Sequence, residues 1–211
     1  GRILFNRILP ADYPYINTEI TFNEMESIVS DLIARYGFAA VPPALDALKR
    51  FGFRYAAVSG ISWGMDDLRV PPEKQEWIGA AEKEIEQIDD YYRRGLLTDR
   101  ERYDRVVEIW RGVMDKLKDA VPKALDPWGS VSTMITSKAR GSWFQTMQMS
   151  GMKGLVINPA GKIIELPVLS SYKEGLNVLE YFISTHGARK GTADTALKTS
   201  VAGYLPRRLV D

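Results

Sequence analysis

At 211 residues and 45% hydrophobic content, the chain is long enough to bury a sizeable core, as one large domain or two small ones. It has no cysteine and a single histidine, which excludes disulfides, thiolate zinc sites and histidine-rich metal centres. The net charge of +1 advertises no polyanionic partner, but charge is uneven: residues 138–211 hold ten Lys/Arg against five Asp/Glu, while residues 73–123 hold eleven against thirteen. A basic C-terminal third fits a local phosphate contact, although surface lysines produce similar counts. No apolar run approaches the roughly 20 residues that span a bilayer. The chain starts without methionine or a charged-then-apolar leader, and it reads as an internal piece of a longer, non-secreted polypeptide.

In chain order, Thr21 and Glu24 form a capping box, and Met25, Ile28, Val29, Leu32, Ile33 and Tyr36 follow at helical spacing. Gly37 is placed to stop that helix. Pro42-Pro43 opens a second, short helix carrying Leu45, Leu48 and Phe51, with Gly52 at its end. Residues 53–70, rich in glycine and aromatics, are expected to be irregular. Next, Ile78, Ala81, Ile85, Ile88 and Tyr92, then Tyr103, Val106, Trp110, Val113 and Leu117, recur at alternating spacings of three and four. The short Gly95-Leu96-Leu97 connection and a second capping box, Thr98 with Glu101, predict an antiparallel hairpin. Each arm would be roughly 30 Å long. A two-helix coiled coil and two helices of an ordinary bundle both satisfy this pattern.

Pro127, Gly129 and Ser130 mark a break, followed by a helix over 131–139 and a methionine-rich loop or broken helix over 141–154. Leu155-Val156-Ile157 and Ile163-Ile164-Glu165-Leu166 read as short strands about the turn Asn158-Pro159-Ala160-Gly161. A final helix begins near Asn177 and reaches Leu205. The predicted fold is mainly α with minor β: an antiparallel coiled-coil hairpin, a long C-terminal helix and a small β-hairpin.

On the last helix, His186, Lys190, Asp194 and Lys198 lie four apart and share a face. A solvated, charge-paired face explains that spacing, but Gly187 and Gly191 within the same run do not serve packing. Each costs roughly 0.8–1 kcal/mol relative to alanine and lets another backbone or ligand come close. Thr195, Thr199 and Ser200 add small polar groups nearby. Gly161-Lys162 ends no P-loop, since Ile163 stands where Ser or Thr is required. Asp89-Asp90 reads as a solvated face, Asp66-Asp67 as a turn, and Arg140 unaided as a surface arginine. With one histidine there is no case for a Ser-His-Asp triad.

Taken in order, Ser184-Thr185-His186-Gly187-Ala188-Arg189-Lys190-Gly191, Ala193-Asp194-Thr195-Ala196-Leu197-Lys198-Thr199 and Gly203-Tyr204-Leu205 closely resemble the bridge helix of the largest subunit of multisubunit RNA polymerase, in its bacterial beta-prime form. The resemblance covers nearly the whole chain. Gly1-Arg2 through Leu9-Pro10 looks like the segment after the catalytic aspartate motif. Ser59-Gly60-Ile61, Asp66-Asp67-Leu68 and Pro72-Glu73-Lys74 look like the run into the rim helices. Gly95-Leu96-Leu97-Thr98, Glu101-Arg102-Tyr103 and Ile109-Trp110 resemble the rim helices themselves. Ala139-Arg140-Gly141-Ser142 and Gly151-Met152-Lys153-Gly154 bracket what looks like the loop beside the bridge.

The resemblance implies a pore-like region over 1–70, a rim-helix coiled coil of the funnel over 71–128, a loop and β-hairpin region over 129–172, and the bridge helix over 173–211. It implies that Thr199 and Ser200 lie against the template base pair and that Lys198 and Arg207 meet nucleic-acid phosphates. His186, Gly187, Arg189, Lys190 and Gly191 would belong to the bridge hinge. Arg140 would face incoming nucleotides, and Leu96 and Leu97 at the hairpin tip would dock secondary-channel protein factors. Other polymerase subunits, DNA template and RNA complete the implied partners, in the bacterial cytoplasm and with no membrane. Mg²⁺ would serve the complete enzyme, held by a motif expected before Gly1, with the trigger loop expected after Asp211. This segment would bind no cofactor and be inert alone in nucleotidyl transfer. Three positions depart from the family pattern: Ser200 stands for alanine, Pro206 for threonine and Met147 for a basic residue. Pro206 is expected to end or kink the helix. A stand-alone helical module that captures proteins through its hairpin is the competing reading.

Overall fold

A computed structural model of the chain describes residues 1–211, apart from the side chain of Ala40. Among the described residues the fold is mainly α, as predicted. Its helices are α1 (Arg2–Asn6), α2 (Phe22–Ser59), α3 (Lys74–Arg93), α4 (Asp99–Ala124), α5 (Ser130–Thr136), α6 (Trp143–Ser150) and α7 (Val178–Val210). They divide into two compact units, residues 1–67 with 128–141 and residues 68–127 with 142–211.

In the first unit, the Glu24 carboxylate accepts the Thr21 N–H at 3.1 Å and starts α2 as the capping box predicts. Ile28, Leu32 and Val41 are buried with Phe5 and Leu9. Asn6 pins α1 to the following loop through paired hydrogen bonds with the Ile16 backbone, at 2.8 and 2.9 Å. Gly37, at φ 72° and ψ 165°, interrupts α2 where a stop is expected. The second segment, however, does not end at Gly52. It runs on through residues 53–59, predicted to be irregular, and stops at Gly60, whose φ of 61° forms a left-handed cap. Glycine ends a helix by turning left-handed, and Gly52 does not turn that way. Phe51 instead meets Tyr55 one turn later, ring centroids 4.6 Å apart, and carries the helix past it. Asp67 accepts the Gly64 N–H at 2.7 Å, the turn role expected for this acidic pair.

The second unit is built on the hairpin of α3 and α4. Gly95, at φ 76°, closes α3 in a Schellman turn: Leu96 N–H donates to the Tyr91 carbonyl at 3.0 Å and Gly95 N–H to that of Tyr92 at 2.9 Å. Thr98 and Glu101 then open α4 through the second capping box. Ile78, Ala81 and Ile88 of α3 are buried against Val106, Trp110, Val113 and Leu117 of α4. Met147 of α6 and Met152 join the same cluster. The seam is therefore a hairpin with a short third helix laid along α4. The methionine-rich segment, expected as a loop or broken helix, places Met147 and Met152 in this core.

The predicted strands reduce to two isolated antiparallel bridges, Gly154 with Val168 and Ile157 with Ile163. Asn158 N–H donates to the Lys162 carbonyl and Asn158 Oδ1 accepts the Lys162 N–H in return, making a tight turn rather than a sheet. Val156 and Val168 are buried with Ile183 of α7. Glu180 and Asn177 cap the start of α7 reciprocally. The helix then passes through Pro206, where an end or a kink was expected, without ending there, and runs to Val210. Proline removes one hydrogen bond, to the carbonyl four residues back. Here that carbonyl belongs to the exposed Ala202, so water can satisfy it.

Candidate functional site

Of the two leucines at the hairpin tip, the structure presents only one. Leu96 is 66% exposed. Leu97 is half-buried and packs against the hairpin core. The tip thus offers a single large apolar side chain, while its neighbour helps fix the turn.

The start of α7 is anchored and the rest is bare. Glu180 is buried and accepts three backbone N–H groups, from Leu169, Ser170 and Asn177, each at 3.0 Å. Burial alone would raise its pKa, but those hydrogen bonds outweigh burial and hold it below the usual carboxylate value. Further along, His186, Gly187, Lys190 and Asp194 are half-buried, so the shared face read from their spacing turns partly inward. His186 meets Phe182 edge-to-face at 5.6 Å. Lys190 Nζ donates to the Pro159 carbonyl at 3.0 Å. A methyl added at Gly187 would touch Val156 at 3.6 Å, so this glycine does admit a close neighbour. At Gly191 it would meet only open space. Arg189 is exposed.

From Thr195 to Asp211 every residue is exposed, including Lys198, Thr199, Ser200 and Arg207. Thr192, Thr195 and Thr199 each return their hydroxyl proton to the carbonyl four residues back, at 3.1, 2.8 and 2.7 Å. Such bonds slightly weaken and bend a helix. Arg207 lies 3.5 Å from the Asp211 carboxylate on the surface. Arg140 is exposed between Lys138 at φ 56° and Gly141 at φ 84°, and belongs to the first unit. The structure therefore brings Gly187 and Lys190 beside residues 156–159, leaves His186 against Phe182 of its own helix, and strings the remaining bridge candidates along an uncovered helix.

Sequence reasoning passed over two charged clusters in the second unit. Arg102 Nη2 meets Glu165 at 2.7 Å and Asp99 at 3.6 Å, its Nη1 meets Asp89 at 3.5 Å, and its guanidinium lies 5.3 Å from the Tyr92 ring centroid. Burial would lower the Arg102 pKa; Glu165 and then Asp89 outweigh it and keep the guanidinium above its ordinary value. Lys74, only 2% exposed, pairs with Glu174, which also accepts the backbone N–H and hydroxyl of Ser171. Both partnerships join residues 63 to 100 positions apart, so no local pattern announces them. The cap at Glu180 was legible, since Asn177 precedes it at capping-box spacing.

Among the described residues, no three His, Cys, Asp or Glu side chains come together in a way that could hold a metal ion. The Mg²⁺ implied for the complete enzyme does not fit the donors of this segment. No described helix is long and apolar enough to cross a membrane.

Comparison with known proteins agrees with the resemblance. The family model for RNA polymerase Rpb1, domain 4, matches residues 97–175, and that for RNA polymerase Rpb1, domain 5, matches residues 175–211. Together they span more than half of the chain. Among curated relatives, the DNA-directed RNA polymerase subunit beta' of Pelotomaculum thermopropionicum is 45% identical over all 211 residues. The subunits of the same name from Salinispora tropica and Bifidobacterium animalis subsp. lactis are 48% and 47% identical over the same length. The chain covers 18% of the first of these relatives and 16% of each of the other two. With the alignment continuous from Gly1 to Asp211, the chain belongs to the RNA polymerase Rpb1 family, in its bacterial beta-prime branch.

Proposed function

We propose that this chain works as part of a DNA-directed RNA polymerase, lining the secondary channel with the α3–α4 hairpin and placing α7 as the bridge helix beside the active centre. The single observation that carries the reading is the division of α7 into an anchored base and a bare, basic far half. A helix standing free of its own fold gains little from propensity and awaits contacts from elsewhere. Lys198, Arg207 and Arg208 give that free length a positive charge suited to phosphates, and Thr199 and Ser200 are small enough for a base pair to lie against them. Residues 1–70, 71–128, 129–172 and 173–211 would serve as pore, funnel, loop region and bridge. Arg140 would meet incoming nucleotides, and Leu96 would dock channel factors.

Other polymerase subunits, template DNA, RNA and nucleotides are the partners of this reading, in the bacterial cytoplasm. In this reading the Mg²⁺ ligands that nucleotidyl transfer needs lie in a motif outside the segment, which would shape the site rather than perform the chemistry and be inert alone. The test is template binding and RNA extension by the complete polypeptide assembled with its subunits. In that assembly Lys198→Ala is expected to lower the salt slope of template binding by about one unit, since one phosphate contact is lost. An unchanged slope would leave Lys198 on a solvated face, and an assembly unable to extend RNA would overturn the polymerase role.

A further inference from the structure

The turn over residues 156–166 touches two functional elements at once. On one side it meets the hairpin next to its tip. Glu165 pairs with Arg102 at 2.7 Å, the Tyr103 hydroxyl donates to the Ile163 carbonyl at 3.1 Å, and Lys162 Nζ sits 4.4 Å from the Tyr103 ring centroid. Arg102 and Tyr103 lie in the first turn and a half of α4, immediately after the exposed connection at Leu96. On its other side the turn meets α7. Val156 shares a buried cluster with Ile183 and lies against Gly187, while the Pro159 carbonyl receives the Lys190 ammonium.

The turn is also closed by hydrogen bonds of its own. Ile164 N–H donates to the Val156 carbonyl at 2.8 Å, and Asn158 and Lys162 are joined by a 2.9 Å backbone bond and a 2.9 Å side-chain bond. A displacement at Glu165 is therefore carried to Val156 and Pro159 rather than absorbed.

We infer that residues 156–166 form a coupler between the hairpin tip and the glycine-bearing start of α7, with Arg102 and Tyr103 as positioning residues for residues 186–191. Gly187 is the receiving end: without a side chain it lets Val156 approach, and a shift of the turn bears directly on the helix backbone there. The regulatory consequence, that a factor seated on the hairpin alters the bend of α7, rests on the polymerase reading above. The mechanical link itself does not.

Amide hydrogen exchange in the complete polypeptide assembled with its subunits tests the link. Arg102→Ala is expected to speed exchange roughly three- to tenfold over both 158–166 and 186–191, as losing a charge-assisted anchor of local structure does. The hairpin core amides of 106–117 should stay protected. The conservative Arg102→Lys, which keeps a cation facing Glu165, Asp89 and Asp99, should retain most of the protection of both stretches. Faster exchange confined to 158–166, with 186–191 unchanged, would overturn the coupler. Should Arg102→Ala also loosen 106–117, the isosteric Glu165→Gln is judged by the same two stretches and decides the matter. RNA extension by the unmodified assembly is measured in parallel: its absence would sink the polymerase role while leaving the exchange result to stand on its own.

Discussion

Glu180 does more for α7 than its position in the chain suggests. One carboxylate satisfies Leu169 and Ser170 of the preceding loop as well as the cap at Asn177, so it fastens the helix start to the turn beneath it. Glu180→Gln replaces one acceptor oxygen by a donor that faces N–H groups, and is expected to destabilise the fold by about 1–3 kcal/mol in a denaturant titration. The pH dependence follows the same way. A carboxylate whose folded pKa lies below its ordinary value of 4.5 stabilises the fold above that value and loses this contribution as pH falls through the folded pKa. Glu174, against which burial also works and which Lys74 and Ser171 hold low, acts in the same window. Thermal midpoints should therefore fall on acidification below about pH 4.5, and less steeply in Glu180→Gln. Two glycines give a second pair of outcomes. A methyl on Gly154 would sit 2.6 Å from Met114 Sδ at a backbone φ of +83°, so Gly154→Ala is expected to lower stability by about 1–3 kcal/mol. Gly191 has open space and no left-handed φ, so Gly191→Ala should stabilise the helix by up to about 1 kcal/mol. In the assembled enzyme that same change should alter the rate of single-nucleotide addition, if bending here belongs to the cycle; an equal rate at a maintained midpoint would remove the hinge role.

At the scale of elements, the hairpin was the most legible part of the chain. Its heptad spacing and Thr98–Glu101 box are local signals, and Ile78, Ala81, Ile88, Val106, Trp110, Val113 and Leu117 are buried as the spacing requires, while Ile85 and Tyr103 are half-buried and Tyr92, at the tip end of the seam, is exposed. What the spacing left open was how the seam is covered. Met147 and Met152 lie over it from a segment whose own pattern is too short to specify a helix. The end of α2 was misread because Gly52 and Gly60 look alike in sequence, and only the backbone conformation each adopts separates them. Pro206 does not end α7, because the carbonyl that its missing N–H leaves free is exposed and can be met by water. The site candidates on α7 carried local marks in their glycines and cations. Arg102 has a local partner in Asp99, but its pairing with Glu165, like that of Lys74 with Glu174, is brought about only by folding. The two tip leucines, alike in sequence, differ in what they touch, and that gives a sharper test than replacing both. Leu96→Ser is expected to weaken binding of a channel factor while leaving helicity unchanged, read by affinity and circular dichroism together. Leu97→Ser should loosen the hairpin itself. Unaltered affinity for Leu96→Ser would take the docking role away from the tip.

For the molecule as a whole, stability is distributed unevenly, and α7 shows where. Its base is held by Glu180, Ile183 and Lys190, while residues 195–211 are exposed throughout and pair along the helix itself, Arg207 with Asp211 and Arg208 with the Tyr204 ring. Its 16 helical residues lie just above the roughly 12–15 below which an isolated helix is marginal in water, and the hydroxyl-to-carbonyl bonds of Thr195 and Thr199, with Pro206, weaken this length further. The far half of α7 is thus expected to be wound only as far as neighbouring chains bind it, so its helical content becomes a mass-action quantity. Backbone amides of 196–210 should exchange fast at low subunit concentration and grow protected as assembly proceeds, while those of 106–117 stay protected throughout. Protection of 196–210 at every concentration would mean that the helix sustains itself. If it does not, this length of chain reports how complete the assembly is: a half-built complex would hold a frayed rod, and only the finished one a rigid beam.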